Sequence, residues 1–190
     1  MVARTHDAFA FSSLVTLSVI FPPNRLNVLT IFACIIGNII GSLIPDIDQA
    51  GNRLWDLLPA GNLIGKFARK IFYKHRTLTH SLLGAFLVFL LLQTVLPKLF
   101  NPVYVDSNLL LWSIMIGYGS HLFSDMLTKE GLPLFFPLNL NIGIPPFEFL
   151  RITTGKWVEN YVVLPAVSIY LLCFIFVFQS DIANILRLVQ

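Results

Sequence analysis

The chain has 190 residues, of which 56% are hydrophobic and 12% charged, and its formal net charge is +3. A soluble globular domain carries about twice that share of charged residues, and so mild a positive charge gives no basis for nucleic-acid binding. The apolar residues gather in runs that approach the roughly 20 residues needed to cross a bilayer as a helix. The composition therefore indicates one integral membrane domain over residues 1–190.

Five apolar runs are predicted to form transmembrane helices, and proline follows each of the first three. They cover residues 8–21, 28–44, 81–96, 108–127 and 161–178. A sixth apolar stretch, 132–149, is interrupted by four prolines and a glycine, so it cannot be a continuous helix. We expect a folded loop or short hairpin at the membrane interface. The predicted fold class is an all-α membrane protein: a bundle of about five transmembrane helices with this Pro/Gly-broken loop.

Lysine and arginine positions predict the orientation of the bundle. With five spans, ten of the 13 lysines and arginines lie on the side of the N-terminus, and that side is expected to be cytoplasmic. The basic, partly apolar segment 62–74 reads as an amphipathic helix on an anionic lipid surface, or as a solvated basic loop. The expected location is the inner membrane, multi-pass, with the N-terminus in the cytoplasm.

All four histidines and most aspartates fall at the cytoplasmic end of this bundle. Random placement would scatter them over both ends, and the topology was derived from lysine and arginine alone. We therefore expect a shared site there. Its candidate metal ligands are His6, Asp46, Asp48, His75, His80, His121 and Asp125.

His121 and Asp125 are the most informative pair. They are four residues apart, so they share one face of a helix. An aspartate within an apolar helix costs up to about 2.5–3.5 kcal/mol to insert, which marks such residues as functional by default. A structural hydrogen-bonded pair is the alternative. His75 and His80 are five apart and do not share a helix face, so one of them must lie in the loop before the helix.

The mixture of histidine and aspartate indicates the kind of cation. Imidazole with carboxylate suits zinc, manganese or iron, whereas magnesium prefers oxygen ligands alone. Zinc is our first expectation. The number of candidate ligands exceeds the needs of one tetrahedral site, so one ion with an outer hydrogen-bond network, or two ions, would use them.

Five motifs resemble the YdjM-type membrane-bound metal-dependent hydrolases: THDAFAF, LIPDIDQ, HRTLTHSLL, GYGSHLFSDMLTKEGLPLFFP and TGKWVE. The resemblance runs from about residue 5 to residue 165. It implies hydrolase activity at the inner membrane with a divalent metal. The seven candidate ligands match the family's polar positions, and Glu159 matches a later acidic one. Thr5 departs from the glycine that family members often have before the first histidine. The order of these motifs also loosely resembles zinc-dependent phospholipases C.

The resulting hypothesis is metal-assisted hydrolysis of a lipid ester or phosphate ester at the headgroup level. Asp48 or Glu159 would be the general base, and Arg76 would neutralise phosphate charge, with Arg151 or Lys129 as other candidates. The partners expected are membrane lipids and a lipid or small-molecule substrate, without nucleic acid. The oligomeric state stays open.

Three other functions remain open from the sequence. A metal-free lipid phosphatase with a histidine nucleophile fits the SHLFSD motif, but the other motifs of that class are missing. A metal transporter or sensor would need polar groups near the bilayer midplane, whereas here they gather at one end. A membrane scaffold with a structural metal would have no open coordination position.

Overall fold

The structure is a computed structural model that describes residues 1–48, 78–138 and 140–189. The regular secondary structure in these ranges is entirely helical, which confirms the predicted all-α class. The helices are α1 (Ala3–Ile20), α2 (Val28–Leu43), α3 (Leu82–Leu99), α4 (Ser107–Met126), α5 (Leu164–Val177) and α6 (Gln179–Arg187). The 3₁₀ turn Pro45–Asp48 follows α2, the 3₁₀ turn Leu78–His80 precedes α3, and the π-helical turn Glu159–Val163 leads into α5.

Polar caps fix where three of the helices begin. The side chain of Asn27 accepts a hydrogen bond from the Thr30 amide at the start of α2. Ser81 caps the Gly84 amide at the start of α3, and Asp106 caps two amides of α4. Each cap satisfies an amide that has no partner within its own helix. The Ser81 cap has a further consequence, because it fixes His80 just before α3.

Helix α4 lies at the centre of the bundle, and its closest neighbour is α2. A Cβ atom added at Gly41 would lie 2.1 Å from the Ile114 carbonyl oxygen. One added at Gly117 would lie 2.0 Å from the Asn38 carbonyl oxygen. Small residues let two helix backbones approach this closely. We call this close approach of α2 and α4 at Gly41 and Gly117 the glycine contact. It brings the end of α2 against the last turns of α4.

The Pro/Gly-broken stretch forms a folded loop at the end of α4. Leu132 and Ile142 exchange two backbone hydrogen bonds of 2.8 Å in an isolated antiparallel bridge. The Ile144 amide donates to the Met126 carbonyl, and the Leu82 amide donates to the Leu134 carbonyl. These bonds tie the loop to the end of α4 and the start of α3.

The expectation of about five spans is wrong for the part of the chain that the structure describes. Two helical stretches there are long and apolar enough to cross a membrane, Leu82–Leu99 and Glu159–Val177. Helix α2 is apolar but has 16 residues. Helices α1 and α4 are longer, but His6, Asp7, His121 and Asp125 lower their hydropathy. Other helices cover these polar groups, so α4 need not be uniformly apolar.

Candidate metal centre

Five of the seven predicted ligands meet at one end of the bundle. His6 lies in the first turns of α1, and Asp46 lies in the 3₁₀ turn after α2. His80 ends the 3₁₀ turn before α3, and His121 and Asp125 lie in the last turns of α4. Four separate segments of the chain thus contribute to one cluster.

His80 and His121 each bring a ring nitrogen close to both carboxylates. The Nε2 atom of His80 lies 3.3 Å from Asp46 Oδ1 and 3.8 Å from Asp125 Oδ2. The Nε2 atom of His121 lies 3.8 Å from Asp46 Oδ1 and 3.7 Å from Asp125 Oδ2. Tetrahedral zinc with bonds of about 2.0–2.1 Å separates its ligand atoms by about 3.3–3.4 Å. Each of these four histidine–carboxylate distances is within about 0.5 Å of that spacing, and His80, His121 and Asp125 form one group with ligand spacing.

The His121 ring is oriented for ligation by a backbone carbonyl. Its Nδ1 lies 2.7 Å from the carbonyl oxygen of Ser42. A carbonyl can only accept, so Nδ1 carries the proton and Nε2 of the neutral ring presents a lone pair. That Nε2 atom is buried and has no hydrogen-bond partner among the described residues. A cation would bind this lone pair. A histidine that binds a metal through one ring nitrogen usually donates a hydrogen bond from the other, as His121 does to Ser42.

His6 stacks on His121 and contacts the far side of Asp125. The two rings are 3.8 Å apart between centroids and tilted by 8°. Two protonated rings at this separation would repel each other, so the stack favours the neutral form that binds metals. The Nδ1 atom of His6 lies 2.7 Å from Ser124 Oγ, and Nε2 lies 3.4 Å from Asp125 Oδ1. His6, Asp46 and His121 form a second group with ligand spacing.

The two aspartates of the centre differ in exposure and in their charged neighbours. The Asp125 side chain is 1% exposed, and the amino nitrogen of Met1 contacts its Oδ1 atom. The Asp46 side chain keeps 23% exposure. Burial alone would raise the pKa of Asp46, but hydrogen bonding to His80 and the charge that the neighbouring histidines carry whenever they are protonated lower it to about 2. Asp125 is thus already paired with the charged amino group of Met1, and Asp46 is the carboxylate more accessible to a cation.

The remaining predicted ligands and one catalytic candidate fall largely outside the described residues. His75 and Arg76 lie in the range 49–77, as does the predicted amphipathic segment 62–74. The backbone of Asp48 ends the 3₁₀ turn after α2, but its side chain is not among those described. Their roles stay predictions.

Glu159 lies beside the cluster rather than in either group with ligand spacing. Its carboxylate is fully buried and accepts hydrogen bonds of 2.7 Å from the Val2 and Gly155 amides. Arg151, also considered for phosphate, donates from its guanidinium to the Pro145 and Pro146 carbonyls at 2.7 and 2.9 Å. Both side chains are engaged by the backbone of the folded chain.

Sequence reasoning did not identify the groups that orient the histidines. Ser42 acts through its carbonyl oxygen, which any residue type could supply, so the sequence holds no signal for it. Ser124 lies beside Asp125 in the same motif, and that position was the available signal. Tyr118 donates from its hydroxyl to the Thr79 carbonyl, next to His80, and a buried tyrosine near a polar motif is a recognisable sign of such a bond.

The fold and the site together define a helical membrane protein with a buried His/Asp cluster that could hold a metal ion. Residues 1–183 match the family described as YdjM inner membrane protein, and the chain belongs to that family. This confirms the resemblance drawn from the motifs and supports an inner-membrane location. The match covers almost the entire chain, so it includes all five clustered residues.

Individual relatives are similar over shorter ranges. The uncharacterized protein YvsG of Bacillus subtilis is 32% identical over 123 residues, which cover 65% of this chain and 66% of that protein. The inner membrane protein YdjM of Escherichia coli is 35% identical over 112 residues, covering 56% of this chain and 50% of that protein. The chain thus spans between half and two-thirds of the length of these relatives. No solved structure gives a significant match.

Proposed function

We propose that the protein is a metal-dependent hydrolase of the inner membrane. Its substrate would be a lipid phosphodiester, phosphomonoester or ester at the cytoplasmic headgroup level. The observation that carries this proposal is the buried Nε2 atom of His121, which lies between two carboxylates without a hydrogen-bond partner among the described residues. A buried polar atom left without a partner costs about 1–3 kcal/mol, and a bound cation would remove that cost.

The donor set suits zinc first, with manganese or iron as further candidates. His80, His121 and Asp125 would hold one ion, because their ligand atoms lie at ligand spacing. Asp46 would complete the set through its short distances to both histidines. His6 would join as a further ligand, or help to hold a second ion, only after its Nε2 atom gives up the proton that it donates to the Met1 carbonyl. When bound, such a cation lowers the pKa of water and polarises the oxygen of an ester or phosphate group.

The chain's own residues would orient the ligand rings, supply a general base and neutralise the charge of the substrate. Ser42 and Ser124 hold the rings of His121 and His6, and the buried Asp125 keeps negative charge beneath the cation. Asp48, two residues after Asp46, is the candidate general base. Arg76 is the candidate for neutralising phosphate charge.

The position of the cluster supports a lipid substrate. One apolar stretch, Leu82–Leu99, begins two residues after His80, and the other begins at Glu159, whose side chain contacts Val2. Both stretches thus begin beside the cluster, at the depth where a bilayer would end. Phe149 and Trp157 in the adjoining loop are 76% and 67% exposed, and exposed aromatic rings are typical of the membrane–water interface. A multi-pass topology and a cytoplasmic site complete the proposal.

The test is the metal content of detergent-purified protein, measured by elemental mass spectrometry for wild type and for His121→Ala and Asp125→Ala. We expect near-stoichiometric zinc or manganese in wild type and loss of metal in both variants. The loaded protein is then screened with phospholipids and acyl esters. Wild type free of metal after purification without chelators would contradict the proposal.

A non-catalytic scaffold with a structural metal is the second candidate, and the burial of the site favours it. The side chains of His6, His80, His121 and Asp125 are at most 2% exposed. A closed site would not admit a further ligand. Azide added to the cobalt-loaded protein would change its visible spectrum if a coordination position is open and leave it unchanged if the site is closed.

A further inference from the structure

A buried clamp joins the start of α1 to the segment before α5. Glu159 is 0% exposed, its Oε1 atom accepts from the Val2 amide, and its Oε2 atom accepts from the Gly155 amide. A buried carboxylate is costly unless it is hydrogen-bonded, and two charge-assisted bonds of 2.7 Å are of the strong kind. Each oxygen therefore joins Glu159 to the backbone of a different segment.

The clamp acts on the turn that carries His6. Val2 is the N-cap of α1, and its carbonyl accepts from the amides of Thr5 and His6. The carbonyl of the preceding residue, Met1, lies 3.0 Å from His6 Nε2. Fixing the Val2 amide thus fixes both backbone groups that define where the His6 ring can lie. Negative charge at this helix start is also favourable to the helix dipole.

At the other end of the clamp, two backbone turns fix the position of the Glu159 side chain. Gly155 has a φ of +73°, a conformation that glycine adopts readily. Glu159 itself begins the π-helical turn that leads into α5, and such turns occur frequently at functional sites. The Gly155 turn and the π turn together direct the carboxylate back across the chain to α1.

We infer that Glu159 is a positioning residue that holds His6 at the metal centre, and not the general base suggested by its place in the family motif. This inference rests on the proposed function, because it assigns His6 a role in binding the cation. Groups that orient a metal ligand typically change metal affinity by about 10–100-fold when removed.

The experiment compares Glu159→Gln with Asn160→Ala in the full chain. Glutamine has the same shape, but it keeps one acceptor oxygen and turns an NH₂ group toward the other amide. Asn160 is the matched control, because it joins the same two segments through exposed bonds to Arg4 and Gly155. Cobalt is titrated into the metal-free proteins, and affinity and visible spectrum are recorded. His6→Ala provides the spectrum of a site without His6.

We expect Glu159→Gln to bind cobalt about tenfold more weakly or worse, with a spectrum shifted toward that of His6→Ala. Asn160→Ala should match wild type. A Glu159→Gln variant with wild-type affinity and spectrum overturns the inference, even if its thermal stability falls.

A readout that needs no metal separates this inference from the proposed function. If wild type binds no cobalt, the proposed function fails, while hydrogen exchange still tests the clamp. Exchange at residues 5 and 6 should then be faster in Glu159→Gln than in Asn160→Ala. Equal exchange in the two variants would refute the clamp.

Discussion

Substituting Gly117 by alanine should damage the metal centre from a distance. A Cβ at this position would lie 2.0 Å from the Asn38 carbonyl oxygen, whereas ordinary contact begins at 3.4 Å. Helices α2 and α4 would have to separate locally by about 1.4 Å. The Ser42 carbonyl moves with α2, so its 2.7 Å hydrogen bond to His121 Nδ1 would lengthen to about 4 Å and break.

The expected magnitudes follow from the same contact. Overpacking of this kind costs about 1–3 kcal/mol. Alanine is favoured over glycine within a helix by about 1 kcal/mol, and that gain applies equally to Gly119 on the same helix. A Cβ at Gly119 meets nothing within 4 Å. Gly117→Ala should therefore be about 1–3 kcal/mol less stable than Gly119→Ala, and its metal affinity should fall about 10–100-fold.

Two measurements on detergent-purified protein check this reasoning. Thermal unfolding followed by intrinsic fluorescence compares the stability of the two variants, and competition with a chromophoric chelator compares their zinc affinity. Gly119→Ala should retain wild-type affinity. If Gly117→Ala binds zinc as tightly as Gly119→Ala, then the glycine contact does not control the orientation of His121.

Three further outcomes follow from the structure. A chelator should lower the unfolding temperature of the metal-loaded protein, since a ligand at 100 times its Kd stabilises by about 2.7 kcal/mol, and unchanged unfolding would argue against a site formed on folding. Metal release, monitored by equilibrium dialysis, should begin only as the pH falls below the ordinary imidazole pKa of ~6.5, while Asp46, with a pKa of about 2, is still ionised. The stability that ionised Asp46 contributes is complete above its ordinary pKa of 3.8 and is lost only as the pH falls through about 2; a metal that stays bound until the pH falls to about 2 would contradict the imidazole assignment. Tyr118→Phe should cost about 0.5–1.5 kcal/mol by removing the hydrogen bond to the part-buried Thr79 carbonyl, and denaturant unfolding with wild-type stability would show that water replaces it.

Residue chemistry predicted the neighbourhood of the cluster better than it predicted the helices around it. The i, i+4 spacing of His121 and Asp125 is a local property, and the structure places both side chains at one point. His80 was expected near the start of an apolar helix, and the Ser81 cap fixes it there. Such signals are readable because caps and helix faces depend on residues within one or two turns.

The number of spans could not be predicted in the same way. Hydropathy describes what a helix would contact if it lay alone in lipid, but α4 is surrounded by other helices. The glycines that allow this packing, Gly41 and Gly117, lie 76 positions apart in the chain. The helix contact that they permit is a tertiary property that no local pattern contains. The backbone groups that orient the histidines depend on that contact, so the sequence did not show them either.

The arrangement of ligands also bears on the choice between hydrolase and scaffold. A structural zinc site needs four protein ligands, and His80, His121, Asp46 and Asp125 would supply them without His6. Yet His6 is buried, stacked on His121 and held by Ser124. A scaffold does not need a third histidine beside these four ligands, whereas a catalytic site with two ions, or with one ligand that dissociates, would use it. His6→Ala should therefore abolish hydrolysis while leaving one structural ion bound. A variant that keeps full activity would show that His6 has no catalytic role and would favour the scaffold over the hydrolase.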